Sequence, residues 1–291
     1  MLARVLESFA ALRAPPGQWK LIVVDNGSAD NTPAVLAAWA HRLPLTVLSE
    51  AKPGKNRALN AAVGNLDGDL AVFTDDDVLP APDWLQALRA AADQHPEATM
   101  FGGTVVPCWS SPVPHWLDGN AVPFSVLYAQ QVRPCGPCGF AAIFGPNMAI
   151  RRSVFDDGLR FSESVGPDAT KRFYAMGSET ELLRRLEAAG HRGWFEAAAR
   201  VRHIVRPEQM EEAWILDRAY RYGVGEGRHY AGAMSAGLLL RLVAYRVAAL
   251  GSALLPPSPR RLRIRYRDRW LAGVAAGRPA AVAAPLAASP G

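Results

Sequence analysis

Apolar and polar positions follow two alternating periods along the first half of the chain. Short runs of apolar and β-branched residues are typical of buried strands, and apolar residues three and four positions apart are typical of helices. The runs predict strands at 20–27, 45–50 and 69–75, and the periodic segments predict helices at 2–12, 32–43, 56–66 and 81–95. Strands that alternate with helices predict an α/β fold, with a mostly parallel sheet covered by helices on both faces.

Three adjacent aspartates, Asp75, Asp76 and Asp77, end the predicted strand at 69–75. Open α/β sheets bind their ligands beyond the carboxyl ends of the strands, which is where this triplet lies. Adjacent carboxylates disfavour one another's charged form, and a hard divalent cation such as Mg²⁺ or Mn²⁺ removes that conflict. On spacing alone, an acidic turn exposed to solvent explains the triplet equally well.

Four segments in a fixed order resemble the family 2 glycosyltransferases, which have the Rossmann-like GT-A fold. They are LIVVDNGSADNT at 21–32, the stretch at 54–85 that contains the triplet, FGPNMAIRRSVF at 144–155 and GSETELLRRLEAAGHRGWF at 177–195. Four ordered motifs are more specific than any one of them. The resemblance implies a nucleotide-sugar donor, a hydroxyl acceptor on a sugar, a lipid or another molecule, and a Mg²⁺ or Mn²⁺ cofactor. It also implies a role in making cell-envelope polysaccharide.

The resemblance places donor contacts in the first two motifs. Asp25 and Asn26 match positions near the nucleotide base and ribose, and Asn26 stands where many members have a second aspartate. An asparagine side chain both donates and accepts, so a base contact survives that change. Lys55, Arg57 and Asn60 match a helix that faces the nucleotide. From the residues alone, Asp25 and Asn26 are equally typical of a capped turn.

The resemblance also implies a metal site around the triplet. Asp75 and Asp77 match the D-x-D element, in which one carboxylate faces the ribose and the other faces the metal ion. Asp76 could replace either, because a triplet leaves the register open. His203 resembles a histidine that in some members contacts the metal ion or the diphosphate, although a lone histidine in an apolar strand is more often structural.

Glu179 is the candidate catalytic base. In the family a Glu-Asp pair at a helix start deprotonates the acceptor hydroxyl, and in this chain Ser178 and Glu179 occupy those two positions. Attack on the anomeric carbon from the face opposite the diphosphate would invert the configuration, and such a single in-line displacement needs only one base. We also expect Ser178 to cap the helix and Glu181 to complete a capping box.

Composition narrows the remaining function classes. Hydrophobic residues make up 49% of the chain and charged residues 20%, which indicates a globular protein. The net charge of +5 is concentrated at 259–270, so we expect no nucleic-acid partner. Three cysteines are too few for a disulfide framework, and the first residues do not read as a secretory signal. We therefore expect a cytoplasmic protein.

The predicted organisation is a GT-A domain at 1–207, a helical extension at 208–270 and a disordered tail at 271–291. Residues 102–139 are rich in Pro, Trp and Gly and predict an irregular wall on the acceptor side. Within that wall we expect Trp109 and Trp116 to pack the segment rather than to stack on a sugar. The extension is too charged to span a membrane, and its basic segment predicts peripheral contact with the anionic inner face.

The resemblance implies one more strand ahead of the helix at 2–12. In the family this apolar strand lies against the nucleotide base, and Met1 already stands at the start of the helix. Without that strand the sheet would have open edges and the pocket would lack a wall. We expect the coding sequence upstream of Met1 to supply it, and a naturally truncated protein is the alternative.

Two other function classes remain open at this point. One is a protein of the same fold that binds sugar nucleotides or docks on a membrane without catalysis. The other is a nucleotidyltransferase, which releases pyrophosphate rather than a nucleoside diphosphate. The state of Glu179 and the identity of the released product distinguish these classes from a glycosyltransferase.

Overall fold

The structure is a computed structural model that describes residues 1–168, 170, 174–230 and 234–279. The chain forms two compact units. The first, called the α/β unit, comprises residues 1–114 and 123–211. The second, called the helical unit, comprises residues 115–122 and the described residues from 212 to 279. The sequence predicted the boundary between the two units near residue 207. It did not predict that residues 115–122 belong to the helical unit.

The helices follow the apolar periodicity closely in the first half of the chain. Within the described residues the α-helices are α1 (Leu2–Ala10), α2 (Thr32–Trp39), α3 (Lys55–Val63), α4 (Trp84–Gln94), α5 (Phe124–Tyr128), α6 (Ser153–Asp156), α7 (Ser178–Ala188), α8 (Glu212–Gly227), α9 (Ala236–Ser252) and α10 (Pro259–Gly277).

The strands lie in two sheets of the α/β unit. They are β1 (Leu21–Asp25), β2 (Leu45–Ser49), β3 (Leu70–Phe73), β4 (Val78–Pro80), β5 (Ala98–Trp109), β6 (Gly136–Cys138), β7 (Met148–Arg151) and β8 (Arg192–Val205).

Strand pairing gives a mixed sheet and confirms the α/β class. β1 and β2 pair in parallel as a two-stranded sheet, and the six-stranded sheet has the order β3-β7-β5-β8-β4, with β6 also paired to β8. β5 and β8 run parallel, whereas β4, β6 and β7 pair antiparallel. The further strand expected ahead of α1 stays a prediction.

Two hydrophobic clusters cover opposite faces of the six-stranded sheet. Successive strand residues point to opposite faces, so Phe101 of β5 joins the cluster that contains Trp84 and Leu88 of α4, while Met100 joins the cluster that contains Leu182 of α7. Each of these five side chains is almost fully buried. The sheet is therefore covered by helices on both faces, as predicted.

The irregular wall predicted at 102–139 is wrong for residues 102–109. These residues belong to β5, the central strand that pairs with both β7 and β8. Its glycines reduced the strand signal in the sequence, yet a side chain at Gly103 would overlap the Ala199 carbonyl and the buried Asn147 amide. Trp109 packs edge-on against Tyr128, with ring centroids 5.1 Å apart, which confirms a packing role.

The disorder predicted from residue 271 is wrong for residues 271–277. They form the last turns of α10, where Leu271 and Val274 are buried. A side chain at Gly273 would overlap the Tyr220 carbonyl of α8, so the two helices meet backbone to backbone. Glycine and alanine, which suggested disorder, are the residues that permit this approach. Residues 280–291 lie outside the described part of the chain.

Part of the basic segment at 259–270 faces α8 within the helical unit. Arg261 and Arg265 contact Glu212 at 3.2 and 2.6 Å, and Arg269 lies 3.7 Å from Asp217. These arginines were expected to face lipid. Among the described residues, no helix is long and apolar enough to cross a bilayer.

Candidate active site

Lys55 joins the aspartate triplet to the candidate base. Its Nζ atom lies 2.6 Å from Oδ1 of Asp75, which follows β3, and 2.5 Å from Oε1 of Glu179, in the first turn of α7. Burial would lower the pKa of Lys55, but the charges of Asp75 and Glu179 outweigh it, so the pKa lies above its usual value. The ammonium therefore stays charged and fixes both carboxylates at one place.

Glu179 is ionised in this arrangement. Burial would raise the pKa of its carboxyl group, but the charge and hydrogen bond of Lys55 outweigh burial and hold the pKa below its usual range. Ser178 adds to this effect, because its hydroxyl donates to Oε2 of Glu179 at 2.9 Å. A buried, ionised carboxylate can accept a proton, which is the property that a general base needs.

Gly145 gives the Glu179 side chain its space. A Cβ atom at residue 145 would overlap the Glu179 carboxylate, so any larger residue here would displace that carboxylate from its position. The turn that contains Gly145 is connected to the triplet by Thr74, whose hydroxyl donates to the Pro146 carbonyl at 2.9 Å. The position of the carboxylate thus depends on residues from three separate segments.

The capping box predicted at the start of α7 is wrong. The N-cap residue is Gly177, no side chain caps the helix, and Ser178 is its first helical residue. Glu181 pairs with Arg185 at 2.8 Å, one turn along the helix. The Ser178 hydroxyl contacts Glu179 instead, because the helix begins one residue earlier than the motif predicted.

Asp77 and His203 form a second charged pair beside the triplet. Nε2 of His203 lies 3.3 Å from Oδ1 of Asp77, and Nδ1 lies 2.8 Å from the Tyr128 carbonyl oxygen. Burial would raise the pKa of Asp77 and lower that of His203, but the contact between the two side chains outweighs burial. The pKa of Asp77 therefore lies below its usual value, and that of His203 lies above it. A histidine in an apolar strand thus faces the acidic edge of the sheet.

The pair has the chemistry of two metal ligands. Oδ1 of Asp77 is buried, and among the described residues it accepts no hydrogen bond of good geometry, although Nε2 of His203 lies 3.3 Å away. The Tyr128 carbonyl accepts a hydrogen bond from Nδ1 of His203. The other ring nitrogen, Nε2, is therefore the one that can coordinate a cation. In the described part of the chain, no three His, Cys, Asp or Glu side chains form a complete metal site. Asp77 and His203 therefore fit a cation whose other ligands come from a substrate and water.

Asp75 and Asp76 differ in their surroundings. Asp75 contacts Lys55 and has a quarter of its side chain exposed. The pKa of Asp76 lies above its usual value, because partial loss of solvation and the charges of Asp77 and Asp75 disfavour its ionised form. Asp76 therefore shows the repulsion that was expected of an aspartate triplet.

Asp25 and Asn26 shape the loop at the end of β1. Oδ1 of Asp25 accepts from the Ser28 amide at 2.9 Å, which is the capped turn that the sequence allowed. The Asn26 amide donates to the carbonyls of Glu50 and Lys52, and its oxygen accepts from the Gly54 amide at 2.8 Å. Asn26 thus fixes the loop that leads into α3 and Lys55.

Arg57 and Asn60 of α3 face the segment at 161–163. Arg57 pairs with Glu163 at 2.8 Å. The Asn60 amide forms two hydrogen bonds with the backbone of Phe161, at 2.9 and 3.0 Å. Both residues were predicted to bind the donor. The contacts that they make join α3 to the 161–163 segment, and donor binding by these residues stays a prediction.

The sequence did not indicate the roles of three groups. Gly145, the Ser178 hydroxyl and the Tyr128 carbonyl position Glu179 and His203. The only available signal was glycine within FGPNMAIRRSVF and serine at the start of α7, and neither specifies a partner.

Comparison with known proteins places this fold and site in context. The sequence profile described as Glycosyl transferase family 2 matches residues 1–159. The glucosyl-dolichyl phosphate glucuronosyltransferase of Haloferax volcanii is 27% identical over 175 residues, which is 58% of this chain and 52% of that protein. This chain therefore spans about half the length of that curated relative.

Two solved structures have a similar fold. One is the mannosyltransferase PcManGT from Pyrobaculum calidifontis in complex with GDP-Man and Mn²⁺, with a TM-score of 0.61 and 20% identity, covering 95% of this chain and 82% of that chain. The other is S. aureus TarS, with a TM-score of 0.53 and 16% identity, covering 94% of this chain and 86% of that chain. At these identities the likeness shows the fold alone, and the GT-A prediction is confirmed.

Proposed function

Because the chain belongs to glycosyl transferase family 2, we propose that it transfers a sugar, with inversion, from a nucleotide-diphospho-sugar to an acceptor hydroxyl. The observation that carries this proposal is the position of Lys55 between Asp75 and Glu179. It brings an ionised carboxylate to the edge of the sheet where the D-x-D element lies. The relatives act on sugar nucleotides or lipid-linked sugars according to their names.

Glu179 acts as the general base in this proposal. Its carboxylate takes the proton of the acceptor hydroxyl as the hydroxyl oxygen attacks the anomeric carbon of the donor. Attack from the face opposite the diphosphate inverts the configuration, and a single displacement needs only this one base. Lys55 and Ser178 hold the carboxylate in place.

We propose that the donor binds across the ends of β1 and β3. Asp25 and Asn26 border the base and ribose, while Asp75 and Asp76 lie on the diphosphate side. Lys55, Arg57 and Asn60 of α3 face the donor, and Arg57 and Asn60 also stabilise the 161–163 segment beside α3. A Mg²⁺ or Mn²⁺ ion at Asp77 and His203, with Asp75 nearby, would neutralise the charge of the leaving diphosphate.

A thermal-shift panel of nucleotide sugars tests this function. We expect a nucleoside diphosphate sugar to raise the melting temperature only when Mn²⁺ or Mg²⁺ is present, because a ligand that binds only the native state stabilises it. The double variant Asp75→Ala/Asp77→Ala should lose this shift. Asp67→Ala is the matched control, since Asp67 is exposed and contacts Lys20 away from the site.

Two outcomes would count against the proposal. An equal shift without a divalent ion would remove the metal role of the triplet. Release of pyrophosphate rather than a nucleoside diphosphate would identify a nucleotidyltransferase.

Lys55→Met should shift the acidic limb of the pH–rate profile to higher pH. Without the ammonium, burial is the dominant influence on Glu179 and raises the pKa of its carboxyl group. The base is then protonated over more of the acidic range. The dependence of kcat on pH measures this, and Lys55→Arg, which keeps the charge, should retain most of the normal profile. Identical acidic limbs for Lys55→Met and the unmodified protein would show that Lys55 does not set the state of the base.

For location, we propose a cytoplasmic protein that contacts the inner face of a membrane peripherally. The relative named for a dolichyl phosphate substrate supports a lipid-linked acceptor. The excess of arginine between 227 and 267 supports contact with an anionic surface, although Arg246, Arg261 and Arg265 of that set already pair with acidic residues.

A further inference from the structure

The outer face of α9 is a continuous apolar surface. Five large apolar side chains recur at spacings of three and four residues, so they share one side of the helix and the turn that follows it. This set, called the α9 stripe, consists of Leu240 (71% exposed), Val243 (63%), Val247 (65%), Leu250 (66%) and Leu254 (92%).

The opposite face of α9 is already in use within the helical unit. Leu238, Leu242, Tyr245 and Ala249 are half-buried, Ser252 is buried, and α9 packs against α10. The helix is therefore apolar on both faces. A surface helix of a globular protein has a polar outer face, and one that is apolar all round has a second apolar environment.

The charge around the stripe indicates the nature of that environment. Residues 227–267 contain eight arginines and no lysine, aspartate or glutamate. Arg246 pairs with Asp268 at 3.1 Å, and Arg261 and Arg265 pair with Glu212, so the remaining arginines carry the excess positive charge. A second copy of this chain would bring the same positive charge to the contact. An anionic surface complements both the charge and the apolar stripe.

The two arginines of α9 suit a helix that lies in a lipid interface. At 100° per residue, Arg241 and Arg246 fall outside the stripe, on either side of the packed face. Long arginine side chains reach the headgroup region while their stems cover apolar surface. With 17 residues and two charges, α9 is suited to lie in the interface rather than to span it.

We propose that the α9 stripe docks this protein onto the interface of an anionic lipid bilayer. The five stripe residues lie among the upper acyl chains, and Arg241, beside the stripe, contacts lipid phosphates. This inference rests on the peripheral location in the proposed function. It assigns the apolar contact to α9 rather than to the basic segment at 259–270, part of which contacts α8.

Vesicle flotation of the full chain tests the assignment. The vesicles are phosphatidylcholine with about one third phosphatidylglycerol, and the stripe variant is Leu240→Gln/Val243→Gln/Val247→Gln/Leu250→Gln. Glutamine keeps helix propensity and net charge. We expect the vesicle partition coefficient of the variant to fall at least about tenfold, because apolar burial and charge act together at the interface. Val113→Gln/Val132→Gln, which changes exposed valines of the α/β unit, is the matched control and should bind normally.

Salt separates apolar docking from purely electrostatic binding. At about 1 M salt the Debye length is about 3 Å, so attraction between arginines and lipid is screened. We expect the unmodified protein to keep measurable binding in high salt, and the stripe variant to keep none. Complete loss of binding by the unmodified protein in high salt would overturn the apolar role of the stripe.

Further controls keep the result separate from the proposed enzymatic function. Nucleotide-sugar thermal shifts should be equal in the unmodified protein and the stripe variant, because the donor residues lie in the α/β unit. If circular dichroism shows that the stripe variant is misfolded, the single variant Val247→Glu replaces it and should also bind more weakly. Normal vesicle binding by a folded stripe variant, or no binding by the unmodified protein, would overturn the proposal. A dimer that the stripe variant dissociates, without lipid binding, would identify a second copy as the occupant.

Discussion

Glu179→Gln is expected to reduce kcat for sugar transfer by about 10²- to 10⁴-fold, the usual contribution of general acid–base catalysis. The affinity for the nucleotide sugar should stay nearly unchanged. Glutamine has almost the same shape as glutamate, and its carbonyl oxygen can still accept from Lys55 or Ser178. It cannot accept the proton of an acceptor hydroxyl. Steady-state transfer assays and nucleotide-sugar titrations measure the two quantities separately.

Glu181→Gln is the matched control for this prediction. Glu181 lies on the same helix two residues later and pairs with Arg185 at 2.8 Å, so its replacement changes a surface ion pair of small energetic value. Turnover should remain close to normal. Unchanged transfer in Glu179→Gln would show that another group is the base, and absence of transfer in the unmodified protein would favour the non-catalytic alternative.

Gly273→Ala should destabilise the helical unit by about 2–3 kcal/mol, the upper part of the range for overpacking. The added methyl group would overlap the Tyr220 carbonyl of α8, and both atoms belong to helix backbones that cannot yield by a rotamer change. The gain in helix propensity, about 1 kcal/mol for Gly→Ala, opposes this effect and is smaller. Urea denaturation followed by circular dichroism measures the change, with two or more probes because the chain has two units.

Gly251→Ala is the matched control. It is the same substitution at a position where the structure predicts no loss of stability. Gly251 lies in the last turn of α9, and no atom lies within 4 Å of the position that a Cβ would occupy. Alanine should therefore leave stability unchanged or raise it by up to about 1 kcal/mol. Equal destabilisation by both substitutions would show that the α8–α10 approach is not the cause.

The positions of the candidate site residues along the chain were predictable because they depend on local patterns. The runs at 20–27 and 69–75 became β1 and β3, and each ends at acidic or amide side chains. The identification of Asp75, Asp77 and Glu179 required only ordered motifs. The capping box failed because helix starts shift by one residue without any change in the apolar pattern.

The contacts of those residues were not predictable in the same way. Asn26, Arg57 and Asn60 matched motif positions, yet their partners are backbone atoms or a glutamate brought close by the fold. The partner of a polar side chain is whichever group packing places beside it. A motif fixes the residue type and not that neighbour.

By itself, the sequence determined the α/β pattern, the acidic edge of the sheet and the apolar character of α9, because each is a periodicity or a residue type read over a short window. Only the tertiary structure decided that Lys55 bridges Asp75 and Glu179, which lie more than 100 residues apart. It also decided which face of α9 packs on α10 and which stays exposed. Both outcomes depend on contacts between distant segments, which no local pattern encodes, because the same apolar helix can bury either face.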